Sequence, residues 1–354
     1  MIERGGVLKV GYVALSESLE APGDRRRFVA YARYKNIDFE LACPSKIYDL
    51  VVITQLADIS VWSNYPHGIV IYDLIDSYLA VPSSDFRQLF RGLFGFLKGR
   101  YKRLQFDHKS AIREMCIRSD AVICATEEQK KDILRYCDNV HIILDTHNEL
   151  VQEGKSDYSL GSGLELVWEG LPTNISHLAI LAEVIEELSD LFPIVLNVIT
   201  DPIASRYFKF LGQKDIKSSL KKISKHIIFH PFNTKTWSGI VRNCDVAVIP
   251  IDLNNPLARG KPENKMVLFW RMGIPVVTSA TPAYKRAQAR AGLSTEFACY
   301  EKSDWIRILT KLIQEKDLRL SAGKLGQTQS NEEYSKEKMF VKWDSLFNSL
   351  GVDL

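Results

Sequence analysis

Residues 259–284, with the sequence RGKPENKMVLFWRMGIPVVTSATPAY, decide the fold of this chain. Their pattern predicts a loop, a helix that starts at Pro262, a turn at Gly273 and a buried strand from Ile274 to Thr278. Proline suits the first position of a helix, where its missing N–H costs nothing. The N–H groups that follow have no partner within the helix, and the helix dipole adds positive potential. The stretch therefore predicts a site for a phosphate at the helix start.

Two lysines support this prediction. Lys261 and Lys265 lie four residues apart, on one side of the predicted helix start, and would give the site a positive rim. With both, the stretch describes a site for a diphosphate. The alternative is a capped core helix with two solvated lysines, and the pattern alone favours neither interpretation.

The order Lys-Pro-Glu-Asn-Lys, an apolar helix and Gly-Ile-Pro-Val-Val-Thr-Ser resembles the donor-binding segment of GT-B glycosyltransferases. It is closest to the large retaining family of bacterial lipopolysaccharide and capsule enzymes. The resemblance implies that the helix start, with Lys261 and Lys265, holds the diphosphate of a nucleotide sugar. It also implies that Thr278 and Ser279 lie beside the same ligand.

The resemblance implies an α/β fold of two Rossmann-like domains that face each other across a cleft. We expect an acceptor domain over residues 1–150 and a donor domain over residues 164–335. We expect residues 336–354 to form a helix that crosses back to the first domain.

The sequence departs from that family at two positions. The family has two glutamates eight residues apart, and these fall at Gly260 and Leu268 here. Neither residue is acidic, so the hydroxyl groups of the ribose or the sugar must be held in another way. We expect Glu263 or Asn264 to hold them.

Composition sets limits on the class of protein. The chain has 354 residues, which is enough for two domains, with 46% hydrophobic and 25% charged residues. A net charge of +3 is too small to argue for nucleic acid as a partner. The six cysteines include no CxxC pair, which is typical of reduced thiols in a cytoplasmic protein. No apolar run in the sequence is long enough to cross a bilayer.

An arginine-rich turn follows the first predicted strand, which covers residues 7–14. Gly23, Asp24, Arg25 and Arg26 open a helix that we expect to run through Tyr34. Such a turn can bind an anion, whereas the alternative is a solvated helix capped by Asp24. In the resembling family the loop faces the cleft, so Gly23, Arg25 and Arg26 are candidate acceptor or cleft residues.

Two carboxylates follow a later predicted strand, over residues 68–73. Asp73 and Asp76 stand at its carboxyl end, where open α/β sheets bind ligands. Both are candidates for the catalytic residues that hold the acceptor hydroxyl or take its proton. The alternative is that Asp76 caps the next helix.

Residues 86–109 combine aromatic and leucine side chains with arginines and lysines. This composition suits the surface of an anionic membrane, and the alternative is a pair of ordinary surface helices. The first interpretation predicts a protein that binds peripherally to the inner face of the plasma membrane.

The first loop of the second domain should lie over the donor phosphates. In the resembling family an arginine and a lysine follow this loop, and neither has a counterpart here. The remaining polar candidates are Gly170, Thr173 and Asn174. His230 ends a strand near the expected position of the base, although a lone histidine more often has a structural role.

The sequence contains no Asp-x-Asp pair, which metal-dependent glycosyltransferases use to bind the diphosphate. We therefore expect a metal-independent glycosyltransferase without a cofactor, which moves a sugar from a nucleotide-sugar donor to a glycan or lipid-linked acceptor. A binding protein on the same fold, without turnover, is the main alternative. A sugar-nucleotide epimerase is a third, but the acids and histidines that it needs cannot be assembled from this sequence.

Overall fold

The computed structural model describes residues 8–81, 107–145, 149–204 and 214–353. The chain forms two compact units. The first comprises Met1–Thr146, Arg259–Pro262 and Ser335–Leu354, and the second comprises His147–Ala258 and Glu263–Tyr334.

The first unit contains a parallel sheet of six strands in the order β2-β1-β3-β4-β5-β6. Apolar and β-branched residues fill the four central strands, which are almost wholly buried, as expected for a sheet with helices on both faces. The strands are β1 (Val10–Val13), β2 (Glu40–Leu41), β3 (Leu50–Thr54), β4 (Ile69–Asp73), β5 (Ala121–Cys124) and β6 (Val140–Ile142).

Helices flank this sheet, and a short 3₁₀ helix covers Tyr78–Ala80. They are α1 (Pro22–Arg25), α2 (Phe28–Lys35), α3 (Ile59–Trp62), α4 (His108–Arg118) and α5 (Glu127–Ile133). The N-terminal caps of α3, α4 and α5 are polar side chains that accept backbone N–H groups, which explains where these helices begin.

The last helix of the chain, α13 (Lys336–Ser349), also belongs to the first unit. Trp343 and Phe347 stack on Tyr31 of α2, with ring centroids 5.6 and 5.5 Å apart. The hydroxyl of Tyr31 donates to Asp344 over 2.7 Å. Aromatic burial and one partly buried hydrogen bond therefore hold the end of the chain to the first sheet.

The second unit contains another parallel sheet of six strands, in the order β11-β8-β7-β12-β13-β14. A separate antiparallel ribbon joins β9 (Ile203–Ala204) to β10 (Lys214–Asp215). The main strands are β7 (Leu164–Glu169), β8 (Ile194–Thr200), β11 (Ile227–Pro231), β12 (Val246–Ile249), β13 (Val276–Ser279) and β14 (Ala298–Cys299).

Helices lie between these strands, with 3₁₀ helices over Pro172–Leu178, Pro256–Gly260 and Thr295–Phe297. They are α6 (Ala179–Ser189), α7 (Ile216–Ile223), α8 (Trp237–Asn243), α9 (Asn264–Arg271), α10 (Pro282–Arg290), α11 (Lys302–Gln314) and α12 (Lys316–Glu333). Two parallel sheets with flanking helices confirm the predicted fold class, an α/β protein with two Rossmann-like units.

Three predicted boundaries differ from the structure. The helix expected from Pro262 begins two residues later, and the strand expected from Ile274 begins at Val276. The single helix expected through Tyr34 is divided into α1 and α2. Arg27 interrupts it because its backbone dihedrals, φ −121° and ψ −117°, are not helical.

Most of residues 86–109, the predicted membrane-binding segment, lies outside the described residues. Within the described ranges, no helix has the length and apolar character needed to cross a bilayer. No group of three or more His, Cys, Asp and Glu side chains in those ranges is arranged to hold a metal ion. All six cysteines lie in the described part of the chain and are free thiols.

Candidate functional site

The second sheet has a point where the strand order reverses. From β7 the chain moves outward through β8 to β11, and it then returns to the other side of β7 at β12. In such sheets, ligands bind beyond the carboxyl ends of the two strands on either side of the reversal. The loop after β7 starts at Gly170, and the loop after β12 leads to α9. We therefore place the candidate donor site between these two loops.

Lys265, on the first turn of α9, lies at the carboxyl end of β7. Its Nζ donates to the backbone carbonyl of Glu169 over 2.5 Å and lies 4.0 Å from Oε2 of the same residue. The ammonium is also 5.2 Å from the centre of the Trp168 ring, a distance typical of a cation–π contact. The side chain remains 25% exposed. The sheet thus holds a positive charge at the edge where an anionic ligand would bind.

Gly170 lies close to Lys265 and to the Trp168 ring, with no room for a side chain. A Cβ atom at position 170 would lie 2.8 Å from Nζ of Lys265 and 2.6 Å from Cζ2 of Trp168. The Trp168 ring is buried and cannot move away easily. The absence of a side chain at residue 170 therefore allows Lys265 to reach the end of β7.

The start of α9 provides the backbone part of the site. The first helical hydrogen bond runs from the N–H of Val267 to the carbonyl of Glu263, over 2.9 Å. The N–H groups of Asn264, Lys265 and Met266 precede this bond and have no partner within the helix. Lys261 lies before the helix, in the segment that belongs to the first unit.

Glu263 and Asn264 occupy different environments at this helix start. Asn264 is the first helical residue and is partly exposed. The carboxylate of Glu263 accepts a hydrogen bond from the hydroxyl of Tyr334 over 3.1 Å. Desolvation raises the pKa of Glu263. Glu263 thus already has a hydrogen-bond partner in Tyr334, and Asn264 is the better placed of the two for a ligand.

The loop after β7 continues into the 3₁₀ helix Pro172–Leu178. Thr173 is exposed and Asn174 is partly exposed in this turn. Nδ1 of His177 accepts the backbone N–H of Asp252 over 3.2 Å, which connects the loop after β7 to the loop after β12. Sequence reasoning missed His177, because no local pattern indicates a contact with a residue so far along the chain.

Thr278 and Ser279 are buried and use their hydroxyl groups inside the second unit. Oγ of Ser279 accepts the N–H of Ile251 over 2.8 Å, and Oγ1 of Thr278 accepts from Gln288 over 3.2 Å. Both hydroxyl groups thus have partners within the second unit, and the predicted position of Thr278 and Ser279 beside the donor stays a prediction. Ser279 also fixes the start of the loop after β12, which leads to α9.

His230 also has a partner within the sheet. Its Nε2 lies 2.8 Å from Oδ1 of Asn197, whose amide donates to Glu165 over 2.7 Å. Because an amide oxygen only accepts, Nε2 of His230 must be the donor. Burial lowers the pKa of His230, which favours the neutral ring. The histidine therefore has a structural contact, and its predicted contact with the base stays a prediction.

In the first unit, Asp76 is held by two neighbouring side chains. Its Oδ2 accepts from Nε2 of Gln55 over 3.2 Å and from the hydroxyl of Tyr78 over 3.1 Å. The backbone N–H of Asp76 donates to Oε1 of Gln55 over 2.9 Å. Within residues 8–81 and the other described ranges, no donor contacts Oδ1 of Asp76. One oxygen of a fixed, partly exposed carboxylate is thus open to a ligand. Sequence reasoning missed Gln55, which holds the other oxygen.

Asp73 has no open oxygen. It is buried, and Nε and Nη2 of Arg27 donate to its two oxygens over 2.7 and 2.6 Å. The predicted catalytic role of Asp73 is therefore corrected to a structural one, because a buried carboxylate that already pairs with a guanidinium cannot also contact an acceptor.

Asp24 organises the arginine-rich turn through hydrogen bonds to the loop after β1. Asp24 is buried and accepts the backbone N–H groups of Leu15 and Ser16 over 2.8 and 3.0 Å. It therefore shapes the loop after β1 and does not cap a helix that continues to Tyr34. The candidate residues of this turn lie in or beside α1 and are partly exposed: Gly23, Arg25 and Arg26.

Solved structures similar to this one share its fold. HepE from Anabaena, solved with UDP, has a TM-score of 0.63 and 10% identity over 97% of this chain and 100% of its own. Sucrose-phosphate synthase from Thermosynechococcus elongatus has a TM-score of 0.59 and 13% identity over 96% of this chain and 80% of its own. TarM has a TM-score of 0.57 and 14% identity over 84% of this chain.

The match covers 54% of TarM, so the chain spans about half the length of that protein. No protein-family model and no curated protein matches the chain. At identities of 10% to 14%, the likeness to the solved structures establishes the fold alone. It confirms the GT-B fold that the resemblance in the sequence predicted.

Proposed function

We propose that this protein is a glycosyltransferase that moves a sugar from a nucleotide-sugar donor to an acceptor hydroxyl. The observation that carries the proposal is the ammonium of Lys265, held at the carboxyl end of β7 beside the start of α9. HepE, which has the same fold, was solved with UDP and with UDP-glucose. A protein of the same fold that binds UDP supports the donor site that we propose in the second unit.

The proposed donor site stabilises a leaving diphosphate without a metal. Negative charge grows on the diphosphate oxygens as the bond to the sugar breaks. Lys265, the N–H groups at the start of α9 and the helix dipole oppose this charge, and Lys261 adds a second positive charge. Because these groups are already in place, little reorganisation accompanies the reaction. Gly170, Thr173 and Asn174 would line the phosphate side of the same site.

In the first unit, Asp76 is the proposed contact for the acceptor. Its open Oδ1 would accept a hydrogen bond from the hydroxyl that attacks the sugar, which orients that hydroxyl and increases its nucleophilicity. Gln55 and Tyr78 hold the other oxygen, so the carboxylate cannot turn freely. Gly23, Arg25 and Arg26 remain candidates for contacts farther along the acceptor.

We further propose that the acceptor belongs to polysaccharide or glycolipid assembly. A variant of S. aureus TarM was solved with Fondaparinux, alpha-GlcNAc-glycerol and UDP, which places glycans on this fold. A lipid-linked acceptor would require the protein to work at a membrane surface. Residues 86–109 have the composition for the inner face of the plasma membrane, and the protein would then be cytoplasmic and peripheral.

A protein that binds a nucleotide sugar without turnover is the second candidate function. Gly260 and Leu268 favour it, because the resembling family has acidic residues at those two positions. Incubation with several sugar nucleotides separates the candidates, with release of nucleoside diphosphate measured with and without glycan acceptors. Release that increases with an acceptor and survives EDTA supports the metal-independent transferase. Binding of UDP without release from any donor supports the binding protein, and release that requires a divalent ion contradicts the proposed mechanism.

A further inference from the structure

Arg27 is a fully buried arginine between α1 and α2. Its guanidinium forms a bidentate pair with Asp73, over 2.7 and 2.6 Å. Nη1 donates to the backbone carbonyl of Ile143 and to Oδ1 of Asp145, each over 2.9 Å. Although burial alone would lower the pKa of Arg27, the carboxylates of Asp73 and Asp145 raise it, so the guanidinium stays charged.

These partners lie at two separate places on the carboxyl edge of the first sheet. Asp73 is the last residue of β4, whereas Ile143 and Asp145 follow β6. Strand β5 lies between β4 and β6 in the sheet. One guanidinium therefore connects the ends of two strands that do not pair with each other.

The turn that follows Asp73 carries the proposed acceptor contact, Asp76. The N–H of Leu74 donates to Ile123 in β5 over 2.9 Å, and the carbonyl of Ile75 accepts from Gln129 in α5 over 2.8 Å. Arg27 fixes the first residue of this turn from a third direction. Each residue from 73 to 75 is thus held by a different element before the chain reaches Asp76.

We propose that Arg27 is a positioning residue for glycosyl transfer, which acts on the acceptor through Asp73 and the turn to Asp76. This inference rests on the proposed function. A buried arginine paired with the buried Asp73 and the partly buried Asp145 is weak evidence for stability, because desolvation offsets much of the attraction between the charges. The arrangement instead fixes the orientation of the Asp73 carboxylate, since the N–H groups of a planar guanidinium donate in set directions.

Arginine is needed at this position because lysine cannot make the same contacts. Lysine has one compact ammonium, whereas the guanidinium of Arg27 reaches four oxygens on Asp73, Ile143 and Asp145. An Arg27→Lys variant keeps the charge and loses the fork geometry. It should therefore fold, while the turn to Asp76 becomes less well fixed.

The experiment compares Arg27→Lys and Arg27→Met with a matched control, Lys155→Met. Lys155 pairs with Asp245 in the second unit over 3.3 Å, and both side chains are 6% exposed. For each variant, we would measure the melting temperature, UDP affinity by calorimetry, slow donor hydrolysis without acceptor, and kcat and KM for the acceptor. The control reports the effect of breaking a buried ion pair in the second unit, whereas the turn from Asp73 to Asp76 belongs to the first unit.

The expected result for Arg27→Lys is a loss of about tenfold to a hundredfold in acceptor-dependent kcat/KM, the scale expected for a small misplacement of a reacting group. UDP affinity and donor hydrolysis should stay within about twofold of wild type, since Lys265 and the loop after β7 lie in the other unit. Arg27→Met should lose more acceptor-dependent activity than Arg27→Lys. Lys155→Met should lower the melting temperature and leave acceptor kinetics unchanged.

Two outcomes would overturn the inference in distinguishable ways. If wild type transfers sugar and folded Arg27→Lys retains its acceptor kcat/KM, Arg27 does not position the acceptor contact. The same holds if Lys155→Met loses as much acceptor-dependent activity as Arg27→Lys, because the effect then follows stability. If wild type itself transfers no sugar from any donor, the proposed function fails, and this inference fails with it.

Discussion

The ammonium of Lys265 lies 2.5 Å from the backbone carbonyl oxygen of Glu169, so that the first turn of α9 reaches the carboxyl end of β7. The ammonium lies 5.2 Å from the centre of the Trp168 ring, and the charge remains partly exposed at the sheet edge. This contact joins the two loops of the candidate donor site within a single unit. Substitutions of Lys265 and Gly170 therefore test the site without changing the first unit.

The first prediction concerns the lysines. Lys265→Ala and Lys261→Ala should each remove about 2–4 kcal/mol of transition-state stabilisation, because each lysine opposes charge on the leaving diphosphate. The measurement is kcat/KM for the donor, with Lys225→Ala as a control on an exposed surface pair. Wild-type turnover in both lysine variants would remove the diphosphate assignment.

The second prediction concerns Gly170. Gly170→Ala should weaken UDP binding about tenfold, because the new methyl group would displace Lys265 from the end of β7 or strain the Trp168 ring. Gly161→Ala is a matched control, since a Cβ at residue 161 meets no atom within 4 Å. Calorimetric titration with UDP compares the two variants. Equal affinities would mean that the position of Lys265 does not matter for the donor.

The third prediction concerns Asp76. Asp76→Asn should bind UDP as wild type does. Its rate of sugar transfer should fall about a hundredfold or more, because an amide cannot take the proton from the hydroxyl of the acceptor. Both UDP affinity and acceptor-dependent kcat are needed for this comparison. Should UDP binding disappear from a folded Asp76→Asn protein, the assignment of donor and acceptor to separate units is wrong.

The fourth prediction concerns Glu263 and pH. Because desolvation raises the pKa of Glu263, the folded protein keeps this proton at pH values where the unfolded chain has released it. Stability contributed by this group therefore falls as pH rises from the unfolded pKa to the folded pKa, and the cost persists above that range. The melting temperature of wild type should fall relative to Glu263→Gln as the pH rises above about 4, the ordinary pKa of a glutamate.

Tyr334→Phe gives a second measurement on the same group. The hydroxyl of Tyr334 lowers the pKa of Glu263 by donating to its carboxylate, so its removal should steepen the fall in melting temperature. A constant difference between wild type and Glu263→Gln across this pH range would show that the carboxyl is not desolvated.

The fifth prediction concerns residues 86–109. The protein should sediment with anionic liposomes at low salt, because each basic residue near the surface contributes about 1 kcal/mol. High salt should release it, since the charges act over a Debye length of about 8 Å at physiological ionic strength. Neutral liposomes should retain much less, and joint replacement of Arg100, Lys102 and Arg103 by Gln should reduce binding. Wild type that ignores anionic liposomes at low salt would make a soluble acceptor the better proposal.

Several features of the donor site could be predicted because they are local. The apolar spacing of α9 places Met266, Phe269 and Trp270 in the core, as the sequence pattern required. Gly273 ends the segment at a φ of +71°, a conformation that favours glycine. The helix start was misplaced by two residues because Pro262 is permitted at a helix start but does not require one there.

The contacts of the turn from Asp73 to Asp76 could not be predicted in the same way. Asp73 and Asp76 have the same side chain and stand three residues apart, so the sequence offers no reason to separate them. In the structure Asp73 is buried against Arg27, whereas Asp76 keeps one open oxygen. Burial and the identity of the partner decide their roles, and both depend on residues from other elements.

The sequence by itself determined the two Rossmann-like units, because periodicity, turn residues and the resemblance act over short stretches. Tertiary structure alone decided that Lys265 reaches Glu169, that Gln55 holds Asp76 and that Arg27 joins Asp73 to Asp145. These contacts connect residues 21 to 118 positions apart. A hydrogen bond needs atoms within about 3 Å in a set direction, and only the packed sheets bring such distant residues to that distance.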